Sequence, residues 1–228
     1  VVAAGCATLL AGGDAPLERT WRAARVVRPD GAGRVPVVIY AHGCAGLDDD
    51  FQQWAALLVQ HGYAVVAPDH HARGRAPVGC SEPPLYGPAD APMLATREAE
   101  IAYALRQLRT LPWADPRAVF LLGFDHGAVV AAGYAGEPFA GYVVTGWTCT
   151  SPHPRGRLAT APERPVLAIR WEHDPWFTDP AWNGECGAGL GARPGSRSIV
   201  LEGTGHSTAA DQRARQAVLD FLRLHARP

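Results

Sequence analysis

The chain has no lysine: all 21 of its basic residues are arginine. That absence excludes Schiff-base chemistry through a lysine side chain. Nor is there a surplus of charge of either sign, the formal net charge being −1. Binding to nucleic acid or to an anionic membrane driven mainly by charge is thereby excluded. No apolar run reaches the length of a membrane-spanning helix. None of the five cysteines pairs with another at C-x-x-C spacing, so no metal site is expected. No G-x-G-x-x-G follows the first strand-like run, where "HGCAG" stands instead, and no organic cofactor is implied.

What the chain does have is the composition of a compact domain. It is 228 residues long, 47% hydrophobic and 19% charged, enough to bury a full core without help from disulfides. Residues 1–16 read as a flexible or signal-like segment and 17–228 as one domain. The opening "VVAAGCATLLAGG" is uncharged and built of small and apolar residues. Ala3-Ala4-Gly5-Cys6 resembles the box before a lipidated bacterial cysteine, so export is expected, with lipidation at Cys6 the one route to a membrane. In an exported protein the cysteines can pair as Cys44 with Cys80 and Cys149 with Cys186, leaving Cys6 over; buried free thiols are the alternative.

Along the chain, strand and helix patterns alternate. "VPVVIYAHG" (35–43) is a β-branched run ending in glycine, a buried strand. "FQQWAALLVQHG" follows with Trp54, Leu57, Leu58 and His61 at helical spacing, behind three aspartates suited to a helix N-terminus. Further strands are read at 63–69, 118–125, 141–147, 165–174 and 197–206. Helices are read at 96–111, with Ile101, Leu105 and Leu108 on one face, and at 211–225, with Ala214, Val218, Phe221 and Leu222 inward. Such alternation predicts an α/β fold: a mainly parallel, twisted sheet with helices on both faces. Chemistry in such sheets gathers at the carboxyl ends of the strands.

Those ends carry a pattern. His42-Gly43-Cys44 follows the first strand, and Asp125 sits in "LLGFDHGA", the G-x-Nu-x-G layout of a nucleophile elbow. Asp174 closes "AIRWEHD", and His206 closes "EGTGH", roughly 30 residues later. Together "YAHGCAG", "HGYAVVAPD", "FLLGFDHGA", "WEHD" and "GTGH" resemble the α/β-hydrolases, and within them the dienelactone hydrolase family, from about Val35 to the C-terminus. The resemblance implies a catalytic set of Asp125, Asp174 and His206, with the backbone N–H groups of Cys44 and His126 as the oxyanion hole. His206 would be the base, and Asp174 would hold its imidazole. Asp179 is the rival acid.

The family's usual nucleophile is serine or cysteine, and here it is aspartate. Asp tolerates the left-handed backbone of an elbow better than most residues, so geometry leaves its meaning open. A small-ester or lactone hydrolase scaffold carrying a natural or engineered replacement is the main expectation. The alternative is a true Asp nucleophile attacking saturated carbon, as in a dehalogenase or epoxide hydrolase. Against it, Ala45 stands where epoxide hydrolases carry proline, and residues 148–164 are too few for a helical cap. A silent hydrolase-like binding protein is the third reading. For substrate contact the candidates are His42, Arg73, Trp147 and Trp176, Arg73 by analogy with arginines that meet carboxylated lactones in dienelactone hydrolases. The expected partner is a small ester or lactone.

Overall fold

A computed structural model of the chain describes residues 15–31, 33–73, 91–150, 157–180 and 182–226. Seven strands form one sheet: β1 (Arg25–Val27), β2 (Val35–Ala41), β3 (Ala64–Ala67), β4 (Ala114–Phe124), β5 (Tyr142–Thr145), β6 (Val166–His173) and β7 (Arg197–Thr204). Their order across the sheet is β1-β3-β2-β4-β5-β6-β7. Only β1 runs antiparallel, on the edge against β3. The other pairs are parallel, as the alternation of patterns predicts.

Alternation along β2 separates two cores. Val37, Ile39 and Ala41 face one side, where α3 (Ala91–Leu108) and α4 (His126–Gly133) pack through Ile101, Leu105, Leu108, Val129 and Val130. Val38 and Tyr40 face the other, against α2 (Asp49–Gln60) and α6 (Gln212–His225), which bury Phe51, Trp54, Leu58, Val218 and Leu222. A side-chain period of two on the strands thus supplies both layers. Asp48 and Asp211 begin α2 and α6 by accepting the N–H of Asp50 and Ala214, as N-caps do.

Several expectations are corrected. Helix α3 starts at Ala91, five residues before the stretch read as helical, because Pro92 falls in its first turn, where a missing N–H costs nothing. An additional helix, α1 (Ala15–Arg22), begins inside the segment read as flexible. Strand β1 is too short and too exposed to leave a pattern. One helical turn, α5 (Gly187–Leu190), forms within "NGECGAGLGARPG" (183–195), a run that reads as too rich in glycine for a helix. Of the expected helix face, Trp54 and Leu58 are buried, but His61 is the exposed C-cap of α2.

The feature that positions the site is the closeness of α4 to the sheet. Every residue from His126 to Ala132 is buried, and small side chains let the helix lie on β2, β4 and β5. A Cβ on Gly127 would overlap the Ala41 carbonyl, and one on Gly123 would overlap the Gly127 carbonyl. Backbone cannot yield there as a flexible side chain would. Gly127→Ala is therefore expected to cost about 3 kcal/mol or more, whereas Gly189→Ala, whose Cβ meets only Leu158 at 3.7 Å, should be close to neutral. Urea denaturation of the two variants beside the parent checks this.

Candidate active site

Between β4 and α4 the chain turns at Asp125 with φ 52° and ψ −118°. A non-glycine residue there is strained, typically by about 1–3 kcal/mol. The turn is held by backbone bonds: the Asp125 N–H donates to Thr145 (3.2 Å), and its carbonyl accepts from Ala128 (2.9 Å) and Val129 (3.2 Å). The carboxylate is buried and divided between two tasks. Oδ2 accepts the backbone N–H of Cys44 at 2.7 Å. Oδ1 lies 3.8 Å from His206 Nε2, an ionic rather than a hydrogen-bonding distance. His126 opens α4, so its N–H belongs to the first turn, whose donors find no acceptor within the helix.

His206 stands in the loop after β7. Its Nδ1–H donates to Asp174 Oδ2 at 2.8 Å, which fixes the tautomer when the ring is neutral. Asp174, directly after β6, is buried, and its Oδ1 accepts the Trp176 N–H (3.0 Å). Asp179 lies exposed in the following loop, where its carbonyl accepts the N–H groups of Trp182 and Asn183. The structure thus brings Asp125, Asp174 and His206 together, in a line of two carboxylates flanking one imidazole.

Charge follows from that line. Burial alone would depress His206, but the carboxylates of Asp125 and Asp174 overrule it and raise its pKa to about 9. Burial alone would raise Asp125, yet His206, His126 and the Cys44 N–H outweigh it and hold the carboxyl well below its ordinary range. At neutral pH the site therefore contains an imidazolium between two aspartates.

The loop carrying the Cys44 N–H is braced from behind. The His70 N–H donates to His42 Nε2 (3.0 Å), which leaves Nδ1 as the protonated nitrogen, donating to the Gly43 carbonyl (2.7 Å). Burial, then Arg97, lowers the His42 pKa to about 3, so the ring stays neutral. Arg97, fully buried on α3, donates from Nη1 to the His42 carbonyl at 2.7 Å. Next along that face Glu100 meets His70 Nδ1 (2.5 Å) and Arg73 Nε (2.9 Å). Burial raises the Glu100 carboxyl to about 7.

Two expected substrate contacts consequently change role. His42 has no exposed surface and spends both nitrogens inside the protein, so it supports the loop instead of touching a ligand. Arg73 is paired to Glu100 rather than held out for a substrate carboxylate. The rest of the loop after Arg73, with Arg75 and Cys80, lies outside the described residues. Cys44 is disulfide-bonded. Among the described residues no group of three or more His, Cys, Asp or Glu is arranged to hold a metal.

Aromatic rings wall the imidazole. Phe124, Trp176 and Phe177 have ring centroids 5.0, 5.3 and 6.1 Å from that of His206. Trp176 is partly exposed and stands at the site. Trp147 is instead 1% exposed, packed 5.4 Å from Phe177 and 6.4 Å from Trp182, and with them forms a packed aromatic cover beside the site. The Cys149–Cys186 disulfide clasps that cover across 37 residues.

Sequence reading missed Arg97, Glu100 and Asp50. Arg97 and Glu100 were legible in principle, since both interrupt the apolar stripe of α3 that continues in Ile101, Ala104 and Leu108. A charge on such a stripe needs a buried partner. Asp50 carried no such signal, being the third of three aspartates at a helix start.

The fold and this arrangement define an α/β-hydrolase. The dienelactone hydrolase family model matches residues 23–221, and the chain belongs to that family. Solved structures agree in fold. A dienelactone hydrolase from Anabaena variabilis is 18% identical, with 90% of this chain and 92% of that chain covered and a TM-score of 0.63. A dienelactone hydrolase-like promiscuous phosphotriesterase from metagenomic libraries is also 18% identical, covering 89% of this chain and 98% of that one at a TM-score of 0.65. The esterase PE8 is 19% identical over 89% and 98%, with a TM-score of 0.61. No curated protein matches the sequence.

Two outcomes are expected from this geometry. A histidine whose folded pKa is raised stabilises fully below its ordinary value and loses that stabilisation as pH rises through the folded one. From about 6.5 to above 9, the chain should thus lose about 1–2 kcal/mol relative to Asp125→Asn, which keeps the turn but removes one carboxylate. Denaturation at a series of pH values measures it. Removing the clasp with Cys149→Ala and Cys186→Ala should cost about 3–4 kcal/mol if loop entropy dominates, read as a lower midpoint under non-reducing conditions.

Proposed function

We propose that this hydrolase carries the machinery for cleaving small carboxylic esters or lactones, with Asp125 at the nucleophile's place, His206 as base and Asp174 as its orienting acid. We propose further that Asp125 closes that machinery to acyl transfer. One observation carries the reading: Oδ2 of Asp125 rests on the Cys44 N–H at 2.7 Å. In ester cleavage that donor must face the developing oxyanion of the substrate. Gly43 presses on the same spot, since a Cβ there would lie 2.9 Å from Oδ2. The carboxylate also keeps His206 protonated, and an imidazolium cannot take a proton from a nucleophile.

A serine at 125 would relieve both effects. Its shorter, neutral side chain leaves the Cys44 and His126 N–H groups for a carbonyl oxygen. Loss of one carboxylate lets the imidazole release its proton nearer neutrality. The aromatic wall of Phe124, Trp176 and Phe177 suits an apolar acyl or alcohol portion of modest size. The half-cystines at Cys44, Cys149 and Cys186 support an exported protein.

A second reading is favoured by the same carboxylate's other oxygen. With Oδ2 on the Cys44 N–H, Oδ1 can attack a saturated carbon from behind its carbon–halogen bond, which breaks as halide leaves with the bonding pair, and the resulting alkyl ester already has its carbonyl oxygen on that N–H. Alkylation would cancel the Asp125 charge and lower the His206 pKa, so that the ring gives its proton to solvent and can then take one from the water that hydrolyses the ester, releasing the alcohol and regenerating the carboxylate.

The chain and its Asp125→Ser variant, assayed side by side on a short p-nitrophenyl ester and for halide release from a haloacid, separate the two. The variant should cleave the ester at least about 100-fold faster than the parent, and neither should release halide. Halide release by the parent, lost in Asp125→Ser, would instead establish the carboxylate as nucleophile and overturn the first reading.

A further inference from the structure

One buried acid is left unused by this chemistry. Asp50 lies in the first turn of α2 and is 3% exposed, although Asp48 already caps the helix by accepting the Asp50 N–H. A helix N-terminus favours an acidic residue but gives no reason to bury it. The reason lies in its partners. Tyr40 on β2 donates its hydroxyl to Oδ2 at 2.6 Å, and Ser207 donates its hydroxyl to Oδ1. Ser207 is the residue after His206 and lies 157 positions from Asp50 in sequence.

We propose that Asp50 is a positioning residue for His206: joined to Tyr40 and to the Ser207 hydroxyl, it pins the loop that carries the imidazole to the N-terminus of α2. Three further contacts act on the same peptide. Trp171 Nε1–H donates to the Ser207 carbonyl (2.8 Å), the Ala209 N–H donates to the Ser207 hydroxyl (3.3 Å), and Gly205 allows the Trp171 ring to lie against the chain. A Cβ on Gly205 would stand 2.7 Å from Trp171 Nε1. His206 is thereby held from its backbone side by Asp50, while Asp174 holds the ring.

Charge is consistent with that placement. The groups facing Asp50 are Tyr40 from β2, Asp48 from its own helix, Ser207 and His206. Burial raises its carboxyl to about 6, against the opposing pull of Ser207, Tyr40 and His206. Above that pH a third carboxylate adds to Asp125 and Asp174 in favouring the imidazolium.

The proposal rests on His206 being the working imidazole of this site, but its test reads the ring rather than turnover. In the full chain labelled with ¹⁵N-histidine, the His206 signals are assigned by His206→Gln and followed in Ser207→Ala, Asp50→Asn and the control Asp48→Asn. Exchange of the Nδ1–H proton with water should quicken by about tenfold in Ser207→Ala and in Asp50→Asn. In Asp50→Asn the titration midpoint of the ring should also fall by about half a pH unit or more. Asp48→Asn should change neither. Unchanged exchange and an unmoved, raised midpoint in both variants, even with a lower melting temperature, would reduce Asp50 to a structural residue and overturn the proposal. An ordinary midpoint in the parent as well would overturn the site reading with it. Should Asp50→Asn fail to fold, proton exchange in Ser207→Ala decides alone, because that change removes one hydroxyl from a partly exposed loop.

Discussion

The site exists because α4 can lie against the backbone of β2. Glycine at 123 and 127 removes the side chains that would keep them apart, and the turn between β4 and α4 then takes a positive φ. That one close approach brings the end of β2, with the Cys44 N–H, onto the side chain of residue 125. It also sets where the acid and the imidazole must arrive. The corner residue presents its side chain at the carboxyl edge of the sheet, where the loops after β6 and β7 deliver Asp174 and His206. The strain of a non-glycine residue at φ 52° is borne by the hydrogen bonds around it.

Within that frame, the difference between serine and aspartate at 125 is electrostatic before it is steric. A serine triad works because one carboxylate supports an imidazole that is neutral at rest. Here two carboxylates share the ring, and the balance tips to the imidazolium. The second carboxylate also takes the Cys44 N–H, which the proposed reading gives to a substrate oxygen. On the proposed reading, two requirements of acyl transfer, a base able to accept a proton and a pair of donors open to the substrate, fail together with an aspartate at this position. Attack on saturated carbon needs neither in its first step, and for that reason the same geometry serves the second reading without rearrangement.

Much of this was legible in the sequence because it depends on short-range patterns. β-Branched runs ending in glycine marked the strands, and residues at the ends of four of them supplied the candidate set. Asp174 rather than Asp179 followed from adjacency to a strand. Long-range burial was not legible. Nothing local separates a His42 that faces a ligand from one locked between Gly43, His70 and Arg97. Likewise Arg73 reads as a loop arginine until Glu100 is seen beneath it. Trp147 and Trp176 belong to the same aromatic class, yet one is in the cover and the other at the imidazole, a difference that no local pattern carries. The stretch 91–95 reads as loop for a different reason: its proline argues against a helix interior but suits a helix start.

The two walls of the site are held by different means, and the contrast bears on how the chemistry is divided. On the Cys44 side, Arg97, His42 and His70 form a wholly buried brace in which each hydrogen bond ends on the backbone of residues 42–43 or on a ring that reaches it. Neutral His42 and permanently charged Arg97 touch the 42–43 backbone themselves, and the group beside them that titrates near neutrality, Glu100 at about 7, reaches it only through the His70 ring. On the imidazole side the brace runs through Asp50, whose carboxyl burial raises to about 6. The groups bonded directly to the 42–43 backbone thus keep a constant charge, with the titrating carboxyl one residue further back. His206, the base of the proposed reading, is tied to a neighbour whose own charge responds to it. That division follows from burial: an arginine deep in the fold can be satisfied by carbonyls, whereas a carboxylate at the same depth depends on every hydroxyl aimed at it.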